Sequence, residues 1–518
     1  MIKHKSTISI IIALLLAASG STAAFAQASF NGEIGLSYLN FDDEGNRASA
    51  RELNDIYDGF NLQNLSAFGN LDPRTRYFVK LDEINLDGRK ARFELTNLNF
   101  FRLKADYRQS RLLYGADEDS KNERKSFGGR LEITPVEALA GFLSYRNYQN
   151  EGERVVFDVA NEGLFGTQYD RRSSLMEGGI KIRHLGHQLE ASYGSRTYDD
   201  KINDDLDSKT TTLKFDFFGK LTPKLKLVGN FYNASKERDL SGDKLTENIF
   251  GLALMARVRP RLTVAPMFKY RTVTGEPNDP DYTSLRFGLD ADYALPRNAT
   301  INAAFGYETL EADTNSTRLL YYSIGARARF LEHFNARISY AGESRDDPDT
   351  LLLNGVEDKT KLLAELSWIP CAYADVIAGY KQLLRTNGDI DTKASSNSLY
   401  ARMDGRYNGK GSLSLQANRA DVKYDWAGEQ LKYKYNSVSG SAAYSLMTDL
   451  ELKVGGTYYI FDDYVQQNKL DVTFGAYYQF ERARLGLSYR RYEIDEYTMA
   501  SDYYQANLIK GELIVNFK

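Results

Sequence analysis

The chain has 518 residues, with 66 Lys+Arg against 70 Asp+Glu and a formal net charge of -4. So even a balance over this length indicates no nucleic-acid partner. Mean hydropathy is -0.48, and beyond Ala26 no apolar run approaches the roughly 20 residues that a spanning helix needs. The composition is still odd for a soluble protein: 36 Tyr, 27 Phe and 40 Gly with only 10 Pro and 1 Cys. Strands that alternate lipid-facing and water-facing residues have this character. Cys371 alone makes no internal disulfide, and without a CxxCH motif the chain attaches no c-type haem.

Lys3, His4 and Lys5 open the chain, Ile8 to Ala18 is almost wholly apolar, and Ala24-Phe25-Ala26 offers small residues to a signal peptidase. Residues 1–26 therefore read as a secretory signal, with the mature protein starting at Gln27. Residues 27–518 read as one all-β domain, a large antiparallel transmembrane β-barrel. The first strand is expected from Ser29 to Asn40. Its start so close to the mature terminus leaves no room for a plug domain.

Short turn signals then recur along the chain. They are Thr134-Pro135, His184 to His187, Thr222-Pro-Lys224, Arg259-Pro-Arg261, Pro296-Arg-Asn298, Glu332-His333, Pro370-Cys371, Asn408-Gly-Lys410, Met447-Thr-Asp449 and Glu481-Arg482. From His187 onward they repeat with a period of about 37 residues. Between them lie longer acidic segments: Asp204 to Asp207, Glu276 to Asp281, Asp346 to Asp349, Asp389-Ile-Asp391 and Asp462-Asp463. Short turns alternating with long polar loops are the asymmetry of an outer-membrane barrel, whose periplasmic connections are the short ones.

The strands between them show a two-residue period. Leu262, Val264, Pro266, Phe268 and Tyr270 alternate with Thr263, Ala265, Met267 and Lys269; Tyr322, Ile324, Ala326, Ala328 and Phe330 alternate with Ser323, Arg327 and Arg329. Leu399 to Tyr407 alternates with Tyr400, Arg402, Asp404 and Arg406, and Leu450 to Ile460 with Glu451 and Lys453. The apolar sets are expected to face lipid. Lys269, Arg327, Arg329, Arg402, Asp404, Arg406, Glu451 and Lys453 are expected to line the lumen. Counting through to a last strand over Tyr503–Phe517 yields about 26 strands, and the pairs Tyr321-Tyr322, Tyr458-Tyr459, Tyr477-Tyr478 and Tyr503-Tyr504 fit interfacial girdles.

About 26 strands, spaced about 4.8 Å apart and tilted near 40°, enclose a diameter on the order of 50 Å. An open hole of that size leaks small proteins, so an occupant is expected. This architecture, with early strands such as Arg74 to Leu81 and Phe100 to Tyr107, resembles the MtrB/PioB family of outer-membrane barrels. The resemblance spans the mature chain in architecture and rests on weak local motifs. It implies a sheath around a periplasmic multihaem cytochrome, with an extracellular cytochrome as a second partner and extracellular electron transfer as the role. Haem would then belong to the partner, and this chain would bind no cofactor. Some members carry a CxxC near the mature N-terminus; here Cys371, in an expected turn, is the sole cysteine.

The alternative is a water-filled porin or substrate-specific channel. An enzyme is not indicated: beyond the signal the histidines are His184, His187 and His333, all in expected periplasmic turns, far from where a barrel hydrolase places its base. His184 and His187 read as exposed turn residues rather than metal ligands. The acidic loops lack the spacing of a calcium loop.

Overall fold

The computed structural model describes residues 29–45, 53, 56–113, 121–158, 163–275, 281–296, 298–312, 316–346, 357–388, 392–426, 428–463, 467–496 and 503–517. The expected signal segment 1–26 lies outside these residues. The strands in chain order begin with β1 (Ser29–Gly45), β2 (Gly59–Asp72), β3 (Thr75–Asp82), β4 (Lys90–Asn97), β5 (Phe101–Leu113), β6 (Lys121–Val136), β7 (Leu139–Asp158), β8 (Gly163–His184) and β9 (His187–Asp200). They continue with β10 (Ser208–Thr222), β11 (Leu225–Arg238), β12 (Lys244–Arg259), β13 (Leu262–Gly275), β14 (Tyr282–Leu295), β15 (Ala299–Ala312), β16 (Ser316–Phe330), β17 (Phe334–Arg345) and β18 (Asp358–Cys371). The last are β19 (Ala374–Asn387), β20 (Thr392–Tyr407), β21 (Gly411–Trp426), β22 (Glu429–Ser445), β23 (Leu450–Asp463), β24 (Gln467–Gln479), β25 (Ala483–Glu496) and β26 (Tyr504–Phe517).

Each strand pairs antiparallel with its sequence neighbour, and β26 returns to pair with β1 from Gly32↔Phe517 to Gly45↔Tyr504. The result is a closed 26-stranded barrel, the fold expected from the sequence. Closure leaves no ladder edge, the condition for placing strands in hydrocarbon. Connections at one end are two to four residues long, as Pro73-Arg74, Leu185-Gly186 and Leu446 to Asp449 illustrate, and those at the other end include the longest. Leu185 (φ 48°) and Gly186 (φ 85°) both lie in the left-handed region, the two-residue turn that matches hairpin twist.

Two expected turns shift. Thr134-Pro135 lies inside the end of β6, and the reversal falls at Glu137-Ala138. The β6–β7 register breaks between Ile133 and Val136, and this irregularity accommodates a proline that has no N–H for the ladder. Pro370-Cys371 likewise closes β18, with a register break between Trp368 and Cys371, so Cys371 is an exposed strand-end residue paired with Ala374. Asp462 and Asp463, expected in a loop, belong to the end of β23.

One face of the wall carries an exposed apolar band: Leu252 on β12, Leu289 on β14, Phe305 on β15, Ile324 on β16 and Ile338 on β17. Apolar exposure this continuous is the lipid-facing surface. Outward aromatics border it near both ends. Phe330, Phe334 and Trp368 stack near the short turns, and Tyr322 and Tyr340 pair 6.0 Å apart higher up. The expected girdle pairs need correction, because adjacent strand residues point to opposite faces. Tyr322, Tyr458 and Tyr478 turn outward, whereas the register sends Tyr321, Tyr459, Tyr477 and Tyr504 to the lumen side.

At the closing seam the inner face is apolar near the long-loop end. Leu39, Phe41, Tyr492, Ile494, Tyr504, Ala506 and Leu508 are buried there. Leu53, 1% exposed, covers them with Ile56 from the β1–β2 connection. Leu53 and Ile56 therefore lie inward, over the wall. Asp58 accepts a hydrogen bond from the Phe41 N–H, and the Tyr504 hydroxyl donates to Asp43 at 3.0 Å.

A ladder closed through β1 and β26 resists detergent until heated. Unboiled protein is therefore expected to migrate faster on electrophoresis than boiled protein, and to fractionate with the outer membrane. Identical mobility of the two samples would contradict a closed barrel.

Candidate functional site: the lumen wall

The face opposite the apolar band is polar, and register places the sequence-predicted lumen residues on it. Lys269 stands between Gly251 of β12 and Arg286 of β14, while Thr263 lies beside Asp292. Arg327 pairs across to Thr300 and Arg337, and Arg329 to Asn335. Arg402, Asp404 and Arg406 descend β20 toward its short turn, with Arg402 bonded to Asp404 at 2.6 Å and Ser414 donating to Asp404 at 2.8 Å. Glu451 and Lys453 pair at 3.1 Å, and the Lys453 ammonium lies 5.2 Å from the Tyr477 ring centre. The eight residues thus fall on four separate strands, β13, β16, β20 and β23, rather than in one site.

Other inner residues carry as much of the chemistry. Glu94 on β4 takes three cations: Arg92, Arg102 at 3.4 Å and Lys104 at 3.7 Å. Arg490 grips Asp471 through two nitrogens at 2.8 and 2.7 Å, a bidentate pair. The Tyr400 hydroxyl donates to Glu365 at 2.6 Å. Arg327, Arg337, Asn302 and Glu365 border a recess of about 560 Å³ in the wall. Tyr321 lies over Gly306, where a β-carbon would collide with its ring, and the Arg286 guanidinium lies 3.9 Å from the ring centre. The two-residue period applied to every strand, not only the most regular ones, would have found all of these.

Charge is distributed unevenly. From β3 to β8 the inner face carries Arg76, Lys80, Lys90, Arg92, Arg102, Lys104, Arg108, Arg124, Arg130, Arg146, Arg171, Lys181 and Arg183, against Asp82, Glu94, Asp106, Glu132 and Glu177. Arg76, Arg108, Arg124 and Arg183 make no ion pair among the described residues. The inner faces of β21 and β22 instead present Ser412, Ser414, Gln416 and Asn418 beside Ser437, Ser439, Ser441 and Ala443, with no charge. Near the short-turn end, three large apolar side chains also face the lumen: Phe68, 48% exposed, Phe218 and Met255.

The acidic loops serve local structure where they are described. Asp207 accepts from the Asp200 N–H at 2.6 Å, and buried Asp200 pairs with Arg171 at 2.9 Å. Asp281 accepts from the Gly275 N–H at 2.6 Å. Residues 276–280, 347–349 and 389–391 lie outside the described residues. His184 and His187 flank their turn as a directly paired couple, with His187 stacked on Phe217. Among the described residues no three His, Cys, Asp or Glu side chains converge on one point.

No family model matches the chain, and no curated protein matches it. Among solved structures it is similar to two variants of the ferric enterobactin receptor PfeA from Pseudomonas aeruginosa, each at 10% identity and a TM-score of 0.50. One match covers 86% of this chain and 85% of the receptor, the other 81% of each. The FrpB iron transporter from Neisseria meningitidis aligns over 81% of each chain at 13% identity, with a TM-score of 0.49. These likenesses lie in the fold alone. The closed ladder and the apolar outer band make the chain a large outer-membrane-type β-barrel.

Proposed function

We propose that the barrel is a sheath for a separately encoded soluble protein held across the outer membrane. The family resemblance makes that protein a periplasmic multihaem cytochrome and the role extracellular electron transfer. The observation that carries the reading is the pairing of a wide lumen with exposed Phe68, Phe218 and Met255 on its wall. Each of these side chains, already more than half buried, forgoes roughly half of the 1.5–3 kcal/mol that full burial brings, and a protein surface seated against it supplies that remainder. No described residue forms a domain inside the lumen, and the wall's polar groups suit a protein exterior.

A second reading, a water-filled channel, draws on the wall's own ion pairs. Arg402–Asp404, Lys453–Glu451, Arg490–Asp471 and Lys510–Glu512 satisfy their charges without any occupant. The PfeA structures of similar fold are those of a ferric enterobactin receptor. Transport across the membrane is thus the competing role.

Reconstitution separates the two. The barrel isolated from its native membrane is expected to bring a haem protein with it in near-equal amount, and liposomes holding the pair are expected to reduce an enclosed dye. The barrel alone would conduct ions broadly and reduce nothing. A barrel that binds no haem protein and shows solute-selective conductance would establish the channel instead.

A further inference from the structure

We propose that the occupant is an acidic soluble protein seated off-centre, against the wall formed by β3 to β8, with water filling the side lined by β21 and β22. The inference rests on the sheath reading and adds the occupant's charge and its place. The chain as a whole is slightly acidic, -4, yet the inner face of β3 to β8 carries a clear cationic surplus. Clefts lined by one sign of charge focus the field into the water they enclose. At about 0.1 M salt the Debye length is about 10 Å, so this field acts on a surface seated close to the wall and fades before the far side of the lumen.

A second feature separates a protein from free anions. Phe68 on the adjoining strand β2 is 48% exposed, directly opposite Phe78 of β3 in the ladder, and Arg92 lies 5.8 Å from the Phe78 ring centre. Aromatic and Arg side chains together characterise the cores of protein interfaces, whereas Ser is depleted there. The β21–β22 wall, with five serines among its small inner side chains, has the opposite composition. An anion alone would gain nothing from Phe68.

The test uses the full barrel in two settings. The empty barrel in a planar bilayer under a tenfold KCl gradient is expected to favour chloride; replacing Arg102, Arg108, Arg124 and Arg130 together by Glu is expected to reverse that preference. In native membranes, a photo-crosslinking residue at Ser126 on β6 is expected to capture a protein of acidic isoelectric point at least tenfold more than one at Ser439 on β22. The four-Glu variant should lose that capture while remaining heat-modifiable. Cation preference in the unaltered barrel, equal capture from both walls, or capture of a basic protein would each overturn the seating while leaving the sheath intact. Capture from neither position would remove the occupant, and the sheath reading with it.

Discussion

Replacing Phe268 by Arg is expected to remove most folded barrel from the outer membrane, whereas Met267→Arg, one residue away, leaves it near the parental level. Phe268 lies in the apolar band, its ring centre 6.2 Å from that of Phe250 and 5.3 Å from that of Phe287. Arginine there sets a charge against hydrocarbon at about 2–4 kcal/mol near the midplane and gives up two aromatic contacts. Met267 points to the lumen beside Ala253 and Gly288, where a long cation reaches water. Val264 shares the outward face but sits only two residues from the start of β13, next to the short turn. Val264→Arg should therefore cost about 0–1 kcal/mol. The check is the amount of heat-modifiable protein in outer-membrane fractions. Equal amounts for Phe268→Arg and Met267→Arg would show that the two faces are wrongly assigned.

Tyr504→Ala is expected to release the β1–β2 connection from the inner wall. Tyr504 is fully buried, edge-on to Tyr492 at 6.1 Å, and its hydroxyl reaches Asp43. Removing a buried ring of this size costs about 3–5 kcal/mol. The loss falls on the seam where β26 meets β1 and where Leu53 and Ile56 anchor the connection. Tyr504→Phe keeps the ring and gives up only the hydrogen bond, roughly 0.5–1.5 kcal/mol. Protease added to intact cells should cut between Gly45 and Gly59 much faster in Tyr504→Ala than in the parent, with Tyr504→Phe close to the parent. Equal cutting in all three would mean that the apolar cluster does not hold the connection.

The two-residue period and the alternation of short and long connections made the barrel and its strand number legible before any coordinates. Both follow from local chemistry: a strand's side chains alternate faces, and a membrane demands apolar residues on one of them. Leu262 to Tyr270 shows this, since Leu262, Val264, Pro266, Phe268 and Tyr270 share one face of the ladder and Thr263, Ala265, Met267 and Lys269 the other. The same rule, carried through, would have separated Tyr321 from Tyr322 and Tyr477 from Tyr478. Turn positions were legible except beside Pro135 and Pro370, where a missing N–H displaces the ladder.

What the sequence by itself determined is therefore the fold class, the facing of the regular strands and the position of most turns. Only the tertiary structure decided which inner residues meet. Arg102 and Lys104 reach Glu94 because the β4–β5 register brings them together, and no local pattern encodes a register. The near-neutral total charge hid the cationic arc of β3 to β8, because acidic residues elsewhere cancel it in the sum but not in space. Leu53 and Ile56 read as two apolar residues in a polar loop. They become the cover of the seam only because the last strand, more than 400 residues away in sequence, closes the ladder beside the first.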